Sequence, residues 1–184
     1  MARNQLLSEN DMKRALTRMT YEMIERNQGT DNLAIVGIKT RGESLAEWIH
    51  RRLWELEAVD VPLGFLDVRG YRDDQSDPQS IQSSKAASDL PFDVSGKHVF
   101  LVDDVLMTGR TIRSAMDALV DYGRPSKISL MTLIDRGHRE LPIRADIVGK
   151  NIPSSHKERV QVLVAAIDGE NGVYIEEMPA DTKE

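Results

Sequence analysis

The sequence predicts an α/β fold built on a mainly parallel sheet, and two observations carry that reading. Short apolar runs, LAIVGI (33–38), HVFLV (98–102) and ISLMTLI (128–134), are rich in β-branched residues, as strands buried on both faces are. Between them lie amphipathic stretches of helical length, the alternation that strand–helix–strand units require.

Ser8, with Asp11 three residues on, marks a helix start, and residues 9–27 keep a helical period. Met12, Ala15, Leu16, Met19 and Met23 fall on its one apolar stripe. After the strand at 33–38, residues 43–57 form a second amphipathic helix through Leu45, Ile49, Leu53 and Leu56, followed by a strand at 62–68. A third helix is expected at 110–122, and apolar runs at 160–167 and 173–178 complete the pattern. Two stretches fall outside it: residues 69–92, polar and rich in Ser, Asp and Gln, and residues 135–157. Long irregular segments inside a compact domain are usually functional or disordered.

Composition narrows the setting. A chain of 184 residues is expected to make one domain, residues 1–184. With no cysteine, disulfides, thiolate metal sites and cysteine nucleophiles are excluded. No apolar run approaches a membrane span, and MARNQLLSEND has no signal-like core, so a cytoplasmic protein without a membrane partner is expected. The net charge of −6 means that any nucleic-acid contact must rest on a local basic face.

The chemistry is concentrated in VFLVDDVLMTGRT (99–111). The strand before it should deliver Asp103 and Asp104 to the carboxyl edge of the sheet, where open α/β folds bind ligands. Two adjacent carboxylates repel each other, so a cation or hydroxyl donors must lie close by, as ribose hydroxyls with Mg²⁺ near them would. Thr108-Gly109-Arg110-Thr111 then leads into a helix, where backbone N–H groups and the helix dipole suit a phosphate. Sugar-binding carboxylates beside an amide cradle make a phosphoribosyl pocket. Lys39-Thr40-Arg41-Gly42, after the first predicted strand, offers a close backbone approach and a forked cation for phosphate oxygens.

The 99–111 stretch resembles the phosphoribosyl pyrophosphate (PRPP) motif of type I phosphoribosyltransferases. With LAIVGIKTRGESLA, DVRGYRDD, TGRTIRSAMDALVDYGRP and DRGHRELPIRADIVGKNIPSS, the chain is similar to the PyrR family over residues 11–165. That resemblance implies a type I phosphoribosyltransferase fold, with a flexible loop at about 69–92 and a small hood at about 135–157 plus parts of the termini. It also implies uracil phosphoribosyltransferase activity and attenuation of pyrimidine genes through leader mRNA, with UMP or UTP as co-regulator. Family assemblies imply a homodimer or a larger homo-oligomer. Thr40, Arg41 and Gly42 would hold pyrophosphate, Asp103 and Asp104 the ribose hydroxyls, and Val105, Leu106, Met107, Thr108, Gly109, Arg110 and Thr111 the 5′-phosphate. Arg72, in the closing loop, would stabilise the departing pyrophosphate. Mg²⁺ would be held mainly by PRPP and water, with Asp103 and Asp104 as secondary partners. Arg136 would read the uracil edge. Val160 is open between a base contact and plain core packing, and His138 is equally open between a place in the hood over the base and a structural histidine bonding a loop carbonyl; it is not named as a catalytic base.

On a helical wheel Arg14, Thr17, Arg18 and Tyr21 face away from the apolar stripe, with Arg26 extending the patch. By themselves they read more readily as an ordinary solvated helix face. The resemblance makes them an RNA face, joined by Arg139, Arg144 and Lys150 from the hood. Where relatives carry His in this helix, the chain has Tyr21, which stacks and donates a hydrogen bond but holds no charge. The competing readings are a purine or orotate enzyme, a salvage enzyme without RNA binding, and an RNA regulator with weak catalysis. A DNA-binding repressor and a PRPP synthetase are disfavoured: only about thirty residues precede the first expected strand, and no Walker-type loop is present.

Overall fold

The computed structural model describes residues 3–74 and 76–179; Met1, Ala2, Gln75 of the expected flexible loop, and residues 180–184 lie outside it. A short strand β1 (Asn4–Leu7) precedes the first helix, α1 (Glu9–Asn27). Ser8 caps α1 as its spacing predicts. Its Oγ accepts from the Asp11 N–H at 3.2 Å, and Asp11 Oδ2 accepts from the Ser8 N–H at 2.9 Å. Met12, Leu16, Met19 and Met23 are buried along the expected stripe.

The main sheet has five strands, all parallel: β2 (Leu33–Ile38), β3 (Leu63–Leu66), β4 (His98–Leu106), β5 (Lys127–Asp135) and β6 (Ile147–Asn151). Their order is β3-β2-β4-β5-β6. Both faces are covered, which is why β2 is buried at every residue. Leu33, Ile35, Phe100 and Val102 pack on the side of α1 and α2 (Arg41–Glu57). Val36, Val99 and Leu101 pack on the other side with Ile112, Ala115 and Leu119 of α4 (Arg110–Val120).

Several boundaries differ from the sequence expectation. Strand β4 does not stop at residue 102 but runs to Leu106, because β5 continues to pair beside it, Asp103 with Thr132 and Leu106 with Asp135. The 69–92 segment is not loop throughout: it contains α3 (Pro78–Ala87). Asp77 caps that helix by accepting from the N–H groups of Gln79 and Ser80, and Pro78 opens its first turn. Buried Ser84 docks it, donating to Asp67 at 3.1 Å and accepting from the Gly70 N–H at 2.7 Å. Contact at Gly70 is close enough that a Cβ there would lie 2.1 Å from the Ser80 carbonyl oxygen. Likewise, the 135–157 stretch contributes β6 to the main sheet.

The expected strand at 160–167 divides into β7 (Glu158–Leu163) and a single turn, α5 (Ala165–Asp168). With β8 (Gly172–Glu177) and β1, β7 forms a separate antiparallel sheet in the order β1-β8-β7. Among the described residues no helix is long and apolar enough to cross a membrane.

Candidate functional site

The two aspartates stand near the end of β4, within the strand and next to the loop that follows it. Asp103 is buried and Asp104 half-buried. Each carboxylate accepts the next residue's N–H, Asp103 from Asp104 at 2.9 Å and Asp104 from Val105 at 2.8 Å. Burial, with the adjacent Asp104 charge, holds the Asp103 carboxyl well above the usual carboxylate range. Burial also raises Asp104, against the opposing pull of its hydrogen bonds and of the Arg41 guanidinium. Two carboxyls confined this way accept hydroxyl donors or a cation readily.

The pyrophosphate-loop residues stand beside them. Gly42 lies so close to β4 that a Cβ would be 2.6 Å from the Val102 carbonyl oxygen, so only glycine lets α2 begin here. Arg41 and Asp104 line one cleft of about 180 Å³ with Val105 and the β7 residues 159–163. Arg41 does not stand free: Asp168 of α5 holds it through two hydrogen bonds, at 2.8 and 3.1 Å. Thr40 is exposed, and the Lys39–Thr40 peptide is cis. Lys39 Nζ donates to the Ala87 carbonyl at the end of α3, at 2.7 Å.

Gly109 precedes α4 with φ +91°, a conformation that glycine takes without strain. The side chain of Ile143 would be 3.2 Å from a Cβ there. Thr108 Oγ1 accepts from the Arg110 N–H, and its carbonyl accepts from Glu140 and Leu141. The loop is therefore braced from outside while the first-turn N–H groups of α4 have no partner within the helix. Met107 and Thr108 are half-buried and Thr111 is exposed, whereas the Leu106 side chain belongs to the core. Arg110 pairs with Asp73 and, at 3.3 Å, with Glu140. Arg72 is exposed and pairs with Asp74 at 3.0 Å.

Two expected ligand-facing arginines turn out to be internal braces. Arg136 is buried and donates to Ser154 Oγ and to the carbonyls of Ser155 and Glu158, so its guanidinium is not turned to a base. Arg139 is half-buried and ties Asp135 to the carbonyls of Met107 and Ile143, which takes it out of the predicted RNA face. His138 bonds the Ser154 carbonyl, the kind of loop contact that a structural histidine makes. Val160 is buried in the core and also lines the Asp104 cleft. Asp168 was missed, because its partner lies 127 residues away and no local pattern marks it.

On α1, Arg14, Arg18, Tyr21 and Arg26 are exposed and Thr17 half-buried. Arg18 donates to the carbonyls of Val148 and Gly149, which joins α1 to β6, and Lys150 of β6 lies close enough to α1 to help lower the Asp11 carboxyl. Arg14 pairs with Asp11 at 3.7 Å, and Glu22 is shared by Arg18 and Arg26. Arg144 is exposed.

A parallel sheet that delivers paired aspartates beside a glycine-opened helix on either hand defines a phosphoribosyltransferase. Residues 2–166 match the phosphoribosyl transferase domain. The chain is 57% identical over 172 residues to the bifunctional protein PyrR of Listeria monocytogenes serotype 4b (strain CLIP80459), covering 92% of this chain and 94% of that protein. It is 58% identical over 168 residues to that of Ligilactobacillus salivarius (strain UCC118), covering 91% and 94%. The chain belongs to the PyrR family of phosphoribosyltransferases. A hypoxanthine phosphoribosyltransferase of Trypanosoma cruzi shares the fold at TM-score 0.72 and 18% identity, over 96% of this chain and 97% of that one. That of Staphylococcus aureus does so at TM-score 0.68 and 22% identity, over 97% and 93%.

Proposed function

We propose that the protein transfers the phosphoribosyl group of PRPP to uracil, giving UMP and pyrophosphate. The observation that carries this reading is that Asp104, Arg41 and the β7 residues 159–163 line one cleft. Asp103 and Asp104 receive the ribose hydroxyls, the 107–111 loop the 5′-phosphate, and Thr40 to Gly42 the pyrophosphate. The bond from C1 to the pyrophosphate oxygen breaks and its electron pair leaves with pyrophosphate. Uracil nitrogen forms the new bond to C1 and releases its proton. The protein's part is positioning and charge stabilisation, and no side chain becomes a nucleophile. With Arg136 engaged elsewhere, backbone groups read the uracil edges and Val105 and Val160 flank the ring. Among the described residues no group of three or more acidic or histidine side chains is placed to hold a metal. The two-carboxylate donor set fits Mg²⁺ carried mainly by PRPP and water. When bound, Mg²⁺ neutralises pyrophosphate charge. Arg72, on the segment leading to α3, approaches pyrophosphate once its pairing with Asp74 is given up.

The deciding experiment is UMP formation from PRPP with uracil, hypoxanthine and orotate compared. Uracil alone should turn over, and Asp104→Asn should lower kcat/KM on the order of a hundredfold. Turnover of hypoxanthine in preference to uracil would overturn the base assignment.

A second activity is supported by α1 and β6 lying side by side, with Arg14, Arg18, Tyr21 and Lys150 on one surface. The protein binds pyrimidine-operon leader mRNA there, as a homodimer or larger homo-oligomer in the cytoplasm, with UMP or UTP in the active site strengthening the complex. Filter binding with and without UMP tests it. Arg14→Gln and Lys150→Gln should each weaken binding. Arg18→Gln should weaken it further, because it also frees β6. Affinity no greater than for unrelated RNA would leave a salvage enzyme alone.

A further inference from the structure

We infer that Asp168 is a positioning residue for phosphoribosyl transfer, its carboxylate fixing the Arg41 guanidinium at the pyrophosphate end of the cleft. The inference rests on the reading of the site proposed above. Asp168 Oδ1 accepts from Arg41 Nη2 at 2.8 Å and Oδ2 from Nε at 3.1 Å, the fork-to-fork geometry that sets orientation as well as distance.

The carboxylate is itself held in place. Oδ2 also accepts the Val164 N–H at 2.9 Å, so one turn of chain closes on its own last residue. Asn171 Oδ1 accepts from the Ala165 N–H at 2.8 Å, and Gly169, at φ +79°, turns the chain away immediately afterwards. Asp168 is thus rigid before any ligand arrives.

Two consequences follow for Arg41. A guanidinium has five N–H donors; Asp168 takes two of them, which leaves three for phosphate oxygens. The side chain also loses less rotamer freedom when a ligand binds, because it is already held. Second, Arg41 and Asp104 line the same cleft. The Asp104 charge already acts on Arg41, so without the Asp168 carboxylate the Arg41 cation is drawn toward Asp104, where it competes with the ribose hydroxyls. Asp168 therefore keeps the pyrophosphate and ribose ends of the cleft apart.

The test is a double-mutant cycle on PRPP binding by calorimetry, accompanied by steady-state kinetics and thermal unfolding. Asp168→Asn should raise the PRPP Kd and KM between about tenfold and a hundredfold, the range for losing a group that orients a charged contact. The KM for uracil should hold, and Asp168→Glu should recover part of the loss. In an Arg41→Ala background the same Asn substitution should have little further effect. An equal loss of PRPP affinity in both backgrounds would show Asp168 acting without Arg41 and overturn the inference, as would unchanged PRPP binding in Asp168→Asn. Should Asp168→Asn fail to fold, Asp168→Glu in the two Arg41 backgrounds decides by the same comparison. A wild-type chain that binds PRPP without converting uracil defeats the transfer reading, while the binding cycle still decides on Asp168. A wild-type chain that does not bind PRPP defeats both.

Discussion

At the scale of single residues, the site depends on atoms that are missing as much as on those present. Gly42→Ala places a methyl 2.6 Å from a backbone oxygen that cannot swing aside. Overpacking of this kind costs about 1–3 kcal/mol, so urea unfolding should shift accordingly and PRPP binding should weaken as the start of α2 lifts from β4. His98 carries a pH dependence. It is buried, with Nδ1 on Asn27 Oδ1 at 2.9 Å, Nε2 on Ser129 Oγ at 2.7 Å, and Phe100 beside the ring. Burial, then the nearby Lys127, lowers its pKa below the ordinary 6.5. The unfolded chain therefore takes up a proton at a higher pH than the folded one. Its contribution to stability is complete above about pH 6.5 and is lost as pH falls through the lowered value. Urea midpoints measured from pH 7.5 to 5 should fall, and His98→Asn should flatten part of that slope; an unchanged slope would remove His98 from the account.

At the scale of elements, α3 is the piece whose attachment is polar. Ser84→Ala removes the hydroxyl between Asp67 and the Gly70 N–H and leaves a buried donor without a partner, a loss of about 1–3 kcal/mol. Hydrogen exchange over residues 78–87 should quicken while the main sheet stays protected; uniform quickening would mean that α3 does not open on its own. Elements were legible in the sequence to the degree that their signals are local. The Ser8–Asp11 box, the β2 apolar run and the α1 stripe are each complete within a few residues. The Asp77-Pro78 start of α3 was equally local, but the polar composition around it masked the helix. Strands β1 and β6 are short and partly exposed, and only their partners make them strands. The site divides in the same way. Asp103, Asp104, Gly42 and Gly109 were readable as strand end and turn. Arg136 and Arg139 were misread because an arginine in a loop does not reveal which carbonyls it will meet.

At the scale of the whole molecule, a chain of net charge −6 is an unusual partner for RNA, and the field on α1 is partly cancelled by Asp11 and Glu22. RNA affinity should therefore fall only gently with salt. For single strands the slope of log K against log salt is about −0.7 per phosphate neutralised, so removing Lys150 should lessen it by roughly that amount; an unaltered slope would place the RNA elsewhere. The small sheet has a different consequence, one of timing. Gln5 of β1 meets Tyr174 of β8 across 169 residues. At ordinary rates of synthesis, about 5–20 residues per second, β1 waits roughly ten to thirty seconds for its partner to leave the ribosome. It is four residues long and begins Asn-Gln, a poor template for other chains while it waits. The five parallel strands are complete by Asn151, before α5 and β8 are made. A nascent chain thus has every strand of its main sheet before Asp168, the residue that restrains Arg41, has been made.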